Sequence, residues 1–144
     1  MRNFLILFCA VLFFSFATAQ QNTTLPKLNG VYFGKIQTEQ KTEYHYIVFK
    51  SEGKASTYVL SNADINKVSH LIKNNTPSDF AGEYRMENSN IIYRSNNSIG
   101  KNEKPAIALS TFYKGLINAD GSIALEVTFN NSKDSTVFTF QNLK

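Results

Sequence analysis

Cysteine is almost missing from this chain, and tryptophan is missing altogether. A single thiol, Cys9, leaves no intrachain disulfide framework. Two histidines, His45 and His70, are too few for the usual zinc clusters. Charge of either sign is also sparse. The formal balance is +4, and the lysines at 27, 35, 41, 50, 54 and 67 are scattered. A nucleic-acid face would need a basic stripe with interleaved aromatics, and none is visible. There is no H-E-x-x-H, no G-x-S-x-G and no phosphate-binding glycine loop. Catalysis, a metal and a cofactor are therefore not expected. No apolar run reaches the length of about 20 residues that a membrane-crossing helix needs.

The one long apolar run lies at the start. Met1-Arg2-Asn3 is a short positive region, and residues 4–16 are apolar except for Ser15. Ala17-Thr18-Ala19 places small residues where a signal peptidase reads them, so residues 1–19 are expected to be a cleaved export signal ending before Gln20. Phe8 precedes Cys9, and Cys9 sits near the start of the run, which argues against a lipid anchor. Cleavage would leave 125 residues with a charge of +3, no cysteine and seven of the twelve phenylalanines. An exported domain without disulfides depends on its hydrophobic core. At this size folding buries roughly two thirds of the chain's surface, which suffices. The destination is a periplasm or the extracellular space. Asparagine is abundant, and N-x-S/T triplets occur at Asn22, Asn74, Asn96 and Asn130. They are glycan acceptors in a eukaryotic host, or chance products of an Asn-, Ser- and Thr-rich composition.

Residues 20–27 read as a polar, flexible leader, and 28–144 as one domain. From Leu28 onward the dominant signal is period-two alternation broken by turn residues. Eight strands are predicted, over 29–37, 43–50, 54–60, 81–87, 90–96, 105–118, 122–130 and 135–142. Asp120-Gly121, between two alternating apolar runs, is the strongest hairpin signal. One segment differs: over 62–73, Ile65, Val68, Leu71 and Ile72 share a helical face. Ser61 or Asn62 is placed to cap it, Asp64 to sit in its first turn and Lys73 in its last. The expected fold is all-β and mainly antiparallel: an eight-stranded up-and-down barrel or curved meander, with one short helix after the third strand. Closure into a barrel removes exposed edges.

Charged residues mark the solvent side of each strand. Lys50 outward turns His45, Ile47 and Phe49 inward. Arg85 and Arg94 outward turn Tyr84, Met86, Ile91 and Tyr93 inward. Lys114 outward turns Ile107, Leu109, Thr111, Tyr113 and Ile117 inward, and Glu126 outward turns Ile123, Leu125, Val127 and Phe129 inward. Phe138 and Phe140 follow from the last strand. On the other face of the first two strands, Val31, Phe33, Tyr44, Tyr46 and Val48 form an apolar stripe. Either the helix covers it or it binds another protein.

The start of the first strand, Leu28-Asn29-Gly30-Val31-Tyr32, resembles the opening of lipocalin-like, calycin-type barrels. There a glycine and an aromatic residue two positions later begin the first strand. The meander over roughly 28–142 is similar to the same architecture. Tyr32 stands where tryptophan is usual, and the helix follows the third strand rather than the last. The resemblance implies a small apolar ligand held inside the barrel, with Tyr32 at its closed end.

Tyr32, Tyr58, Tyr84, Tyr93 and Tyr113 are all expected on inward positions. Tyrosine combines a flat apolar body with a hydroxyl that needs a partner when buried. Such a set grips a planar or lipid-like molecule, or simply fills a barrel that lacks tryptophan; an eight-stranded interior is only just wide enough for its own side chains. Glu43 and His45 share a strand face and can meet at a barrel mouth, where a carboxylate orients an imidazole for proton transfer. No nucleophile stands beside them, and an exposed pair at the strand end is the plainer reading. The candidate ligand-binding residues are therefore Tyr32, His45, Tyr58, Tyr84, Tyr93 and Tyr113. The expected function is non-catalytic binding of a small hydrophobic ligand in the barrel. The alternative is a secreted interaction or assembly module with no ligand.

Overall fold

Alternating apolar and polar residues fold here into eight antiparallel strands that close on themselves. The computed structural model describes residues 25–37, 41–97, 110–129 and 132–143. The expected export signal, the leader up to residue 24, Ile107 and Leu109 lie outside them, as does the side chain of Phe129. The strands are β1 (Gly30–Gln37), β2 (Thr42–Phe49), β3 (Lys54–Leu60), β4 (Phe80–Glu87), β5 (Asn90–Asn97), β6 (Ser110–Ile117), β7 (Ile123–Phe129) and β8 (Ser132–Asn142). Each pairs with the next, and β8 returns to β1, where Tyr32 faces Phe140 across the ladder. The barrel is closed, which decides between the two expected forms in favour of the barrel over the curved meander, and no strand of it is left as an edge.

Hairpins follow the local chemistry. Between β6 and β7, Gly121 adopts φ +83° while its N–H donates to the Asn118 carbonyl at 2.9 Å. Asp120 accepts from the Ser122 backbone N–H at 2.8 Å, locking the turn that its sequence announces. Arg85, Arg94, Lys114 and Glu126 all point to solvent, so the faces they mark are oriented as expected.

Two apolar clusters result. The first lies inside the barrel and contains Tyr32, Phe49, Tyr93, Tyr113, Leu125 and Phe138 among others. Close approach matters at Gly34, where a Cβ would lie 2.7 Å from the Phe138 ring. Only glycine lets that ring lie across β1. The second cluster lies outside, between the first three strands and the helix α1 (Ile65–Lys73). Val31, Tyr46, Val48, Tyr58 and Leu60 are its sheet side, with Phe33 and Tyr44 at its margin. Val68, completely buried, is the central residue of the helix side. Burying a side chain of that size contributes about 1.5–3 kcal/mol.

The stripe on β1 and β2 is thus the seat of α1 and not a free surface. The helix is pinned at both ends. Asp64, rather than Ser61 or Asn62, is its N-cap, with its carboxylate accepting from the Lys67 N–H at 2.9 Å. An N-cap side chain reaches an amide only two or three positions on, and Ser61 and Asn62 lie too far before Lys67. The Asp64 N–H donates to the Tyr46 hydroxyl at 2.7 Å. At the exit, Asn75 takes φ +51°, and the Asn75 and Thr76 N–H groups donate to the Ile72 and Leu71 carbonyls. This is a Schellman ending with asparagine in the left-handed position. The Tyr58 hydroxyl donates to the Thr76 carbonyl at 3.3 Å.

Candidate functional site

The antiparallel register stacks the barrel interior in layers. Tyr84, Tyr93 and Tyr113 are direct neighbours across β4, β5 and β6. Two residues farther along, Gly82, Ser95 and Thr111 are likewise direct neighbours. A ring of aromatic side chains is therefore followed, on these three strands, by a ring of small ones.

The aromatic layers define one end. Tyr32 packs edge-on against Phe49 and Phe140, with ring centroids 5.4 and 5.3 Å away. Its hydroxyl accepts from the Lys27 N–H at 2.8 Å, and burial raises its pKa. Tyr84 lies edge-on to Phe49 at 4.9 Å and donates to the Lys50 carbonyl at 3.2 Å. These two tyrosines cluster with Phe49 at the end of the barrel near the Lys50 turn.

Polar groups gather toward the opposite end. Tyr93 and Tyr113 stack with centroids 5.1 Å apart and planes 12° from parallel. The Tyr93 hydroxyl bonds Thr57 Oγ1 at 3.1 Å, and burial pushes its pKa up to about 12. The Tyr113 hydroxyl lies 3.2 Å from His45 Nδ1. Burial, and then the neighbouring Tyr93, raises the Tyr113 pKa far above the physiological range, so it is a neutral hydroxyl. On the far side of the imidazole, His45 Nε2 donates to Glu43 Oε2 at 3.2 Å. Lys41 pairs with the other carboxylate oxygen at 2.7 Å. The hydrogen bond from His45 is the main cause that lowers the Glu43 pKa, to about 2; partial burial opposes it, and Lys41 adds to it. Because an ionised carboxylate only accepts, it fixes the proton on Nε2. In the neutral ring Nδ1 is then the acceptor for the Tyr113 O–H. A polar chain thus runs from the exposed Lys41 through the half-buried Glu43 to His45 and Tyr113 inside the barrel.

One hydroxyl stands outside these bonds. Thr111 is 1% exposed, and its Oγ1 has no hydrogen-bond partner among the described residues. Beside it, Ser95 Oγ donates to the Thr111 carbonyl at 3.3 Å. Leaving a buried hydroxyl unpaired costs about 1–3 kcal/mol.

Of the six candidate residues, then, Tyr32, Tyr84, Tyr93, Tyr113 and His45 face the interior. They divide into an aromatic end and a polar layer. Tyr58 does not face it: on β3 the residues paired with Ile47 and Phe49 are Thr57 and Ala55, which leaves Tyr58 opposite Tyr46 under α1. Glu43 and His45 do meet, but not as an exposed pair, since His45 is only 5% exposed. Thr57 and Ser95 join the site without having been singled out. Their signal was parity, for Ser95 is two residues from Tyr93 and Thr57 shares the face of Ala55.

No family model and no curated protein matches this chain. The closed eight-stranded barrel is compatible with a calycin-type fold. Among the described residues, no group of three metal-binding side chains comes together and no helix is long and apolar enough to cross a membrane.

Proposed function

We propose that this is an exported, lipocalin-like carrier. It holds a small, mainly apolar molecule with one polar end in the half of the barrel beyond the Tyr93–Tyr113 stack, and does no chemistry on it. The observation that carries this reading is the buried Thr111 hydroxyl, which has no partner among the described residues although the polar groups around it are bonded. A polar group on a bound molecule satisfies it, while Tyr93 and Tyr113 present flat faces and Ile36 and Val127 present aliphatic walls to the rest. The small residues Gly82 and Ser95 beside Thr111 favour occupancy on that side of the barrel. A mostly apolar pocket with a few convergent polar groups is the usual form of such sites. Glu43 serves by holding His45, and through it Tyr113, in one orientation.

Export is part of the proposal and rests on residues 1–19 alone. The test is native mass spectrometry of protein isolated gently from its own host, followed by solvent extraction. A bound compound released on denaturation is the expected result. A mass equal to the polypeptide alone, with no uptake of added fatty acids or polycyclic aromatics, overturns it.

A further inference from the structure

Helix α1 covers the barrel's outer face over β1 to β3, whereas the outer face from β3 to β6 carries an open hollow of about 800 Å3. Its shape follows from side-chain size. Across the ladder Ser56 faces Ala81, and these short residues form a depression beside the longer row Lys54, Glu83, Arg94 and Phe112. Ile92, 9% exposed although it points away from the interior, lies within the same hollow.

Charge is one-sided there. Lys50, Lys54, Arg85 and Arg94 line the hollow against one carboxylate, Glu83. Glu83 is engaged by Lys54, which lowers its pKa by hydrogen bonding and by charge. Arg85 is held by Glu87 at 2.8 Å. Among the described residues, neither Lys50 nor Arg94 has a carboxylate partner. The Arg94 guanidinium instead lies over the Phe112 ring, 6.0 Å from its centroid. An aromatic face, an aliphatic floor and two uncommitted cations thus share one concave site.

We propose that this hollow is a second binding site, separate from the barrel interior, for a small organic anion with an apolar body. The anionic group lies between Arg94 and Lys50, and the body rests against Phe112 and Ile92. A guanidinium already stacked on a ring keeps its N–H edge free for such an oxyanion, so the site is ordered before binding. The volume falls in the range of small-ligand sites.

The test titrates the protein with anilinonaphthalene sulfonate, read by fluorescence, and with the uncharged phenylnaphthylamine as control. The sulfonate is expected to bind saturably, about fivefold more weakly after Arg94→Gln or Lys50→Gln. Raising salt from about 20 mM to about 0.5 M should weaken it further by screening. Binding of the uncharged control should be unchanged by either substitution. Equal sulfonate affinity in wild type and both variants overturns the proposal. So does a loss that appears only with Thr111→Val, because the probe then sits inside the barrel. Both cations are on the surface, so circular dichroism should confirm that the variants remain folded.

Discussion

Replacing Thr111 by valine keeps the volume of the side chain and removes only its hydroxyl. In wild type that oxygen is buried without a partner among the described residues, while the adjacent Ser95 and Thr57 hydroxyls are bonded. The desolvation cost of an unpaired hydroxyl is about 1–3 kcal/mol, so protein stripped of any ligand should become more stable by about 1 kcal/mol or more. For a domain of this size that corresponds to a rise in Tm of about 3–5 °C per kcal/mol. The opposite sign is expected for the loaded protein. There the hydroxyl bonds the polar end of the bound molecule, and its loss should weaken retention about two- to tenfold. The assay is paired: thermal unfolding of delipidated protein by calorimetry, and ligand retention by native mass spectrometry. A stripped Thr111→Val protein less stable than wild type would refute the reasoning, because the hydroxyl must then be bonded by the chain itself. An equal change in stripped and loaded protein would refute the ligand's use of that group.

Glu43 has its pKa lowered from 4.5 to about 2, so its ionised form is favoured by folding. Its contribution is therefore complete above about pH 4.5 and is lost as pH falls toward 2. The side chain is a quarter exposed, and after solvent screening about 1–2 kcal/mol is expected. Urea titrations at pH 6 and pH 3 should show this loss in wild type and much less of it in Glu43→Gln. Gly34→Ala drives a methyl into the Phe138 ring and should lower stability by about 1–3 kcal/mol in the same assay. Tyr58→Phe removes the bond to the Thr76 carbonyl and should cost about 0.5–1.5 kcal/mol while leaving ligand retention unchanged, since Tyr58 lies outside the barrel. Weakened retention in that variant would contradict the division between the two apolar clusters.

The faces that could be read from the residues were those with a charge in mid-strand. Arg85, Arg94, Lys114 and Glu126 each carry a desolvation cost that keeps them in water, and their neighbours are then fixed by period two. Hydropathy gives no such guide where a strand is apolar on both sides. β3 has Ala55 and Thr57 on one face and Tyr58 and Leu60 on the other, all buried, because α1 supplies a second apolar environment. Its one charge, Lys54 at the strand's start, does mark the face of Tyr58 correctly as outward. The burial of His45 was hidden for a different reason. Its partner Tyr113 is 68 residues away, and only barrel closure brings them together. Thr111 could be placed on the inner face, yet nothing local shows that its hydroxyl finds no partner.

The cover that α1 provides also bears on the chain before it folds. The segment from Tyr44 to Phe49 carries aromatic or β-branched residues toward both sides, with no proline and little charge, which is the pattern of a strand prone to pair with other chains. Only four residues separate α1 from the end of β3, so it can reach that sheet by closing a short loop, whereas the β1–β8 seam joins residues more than a hundred positions apart. Loop-closure entropy therefore favours shielding the outer face ahead of sealing the barrel. In a chain without a disulfide framework, α1 acts as a built-in guard against self-association during folding.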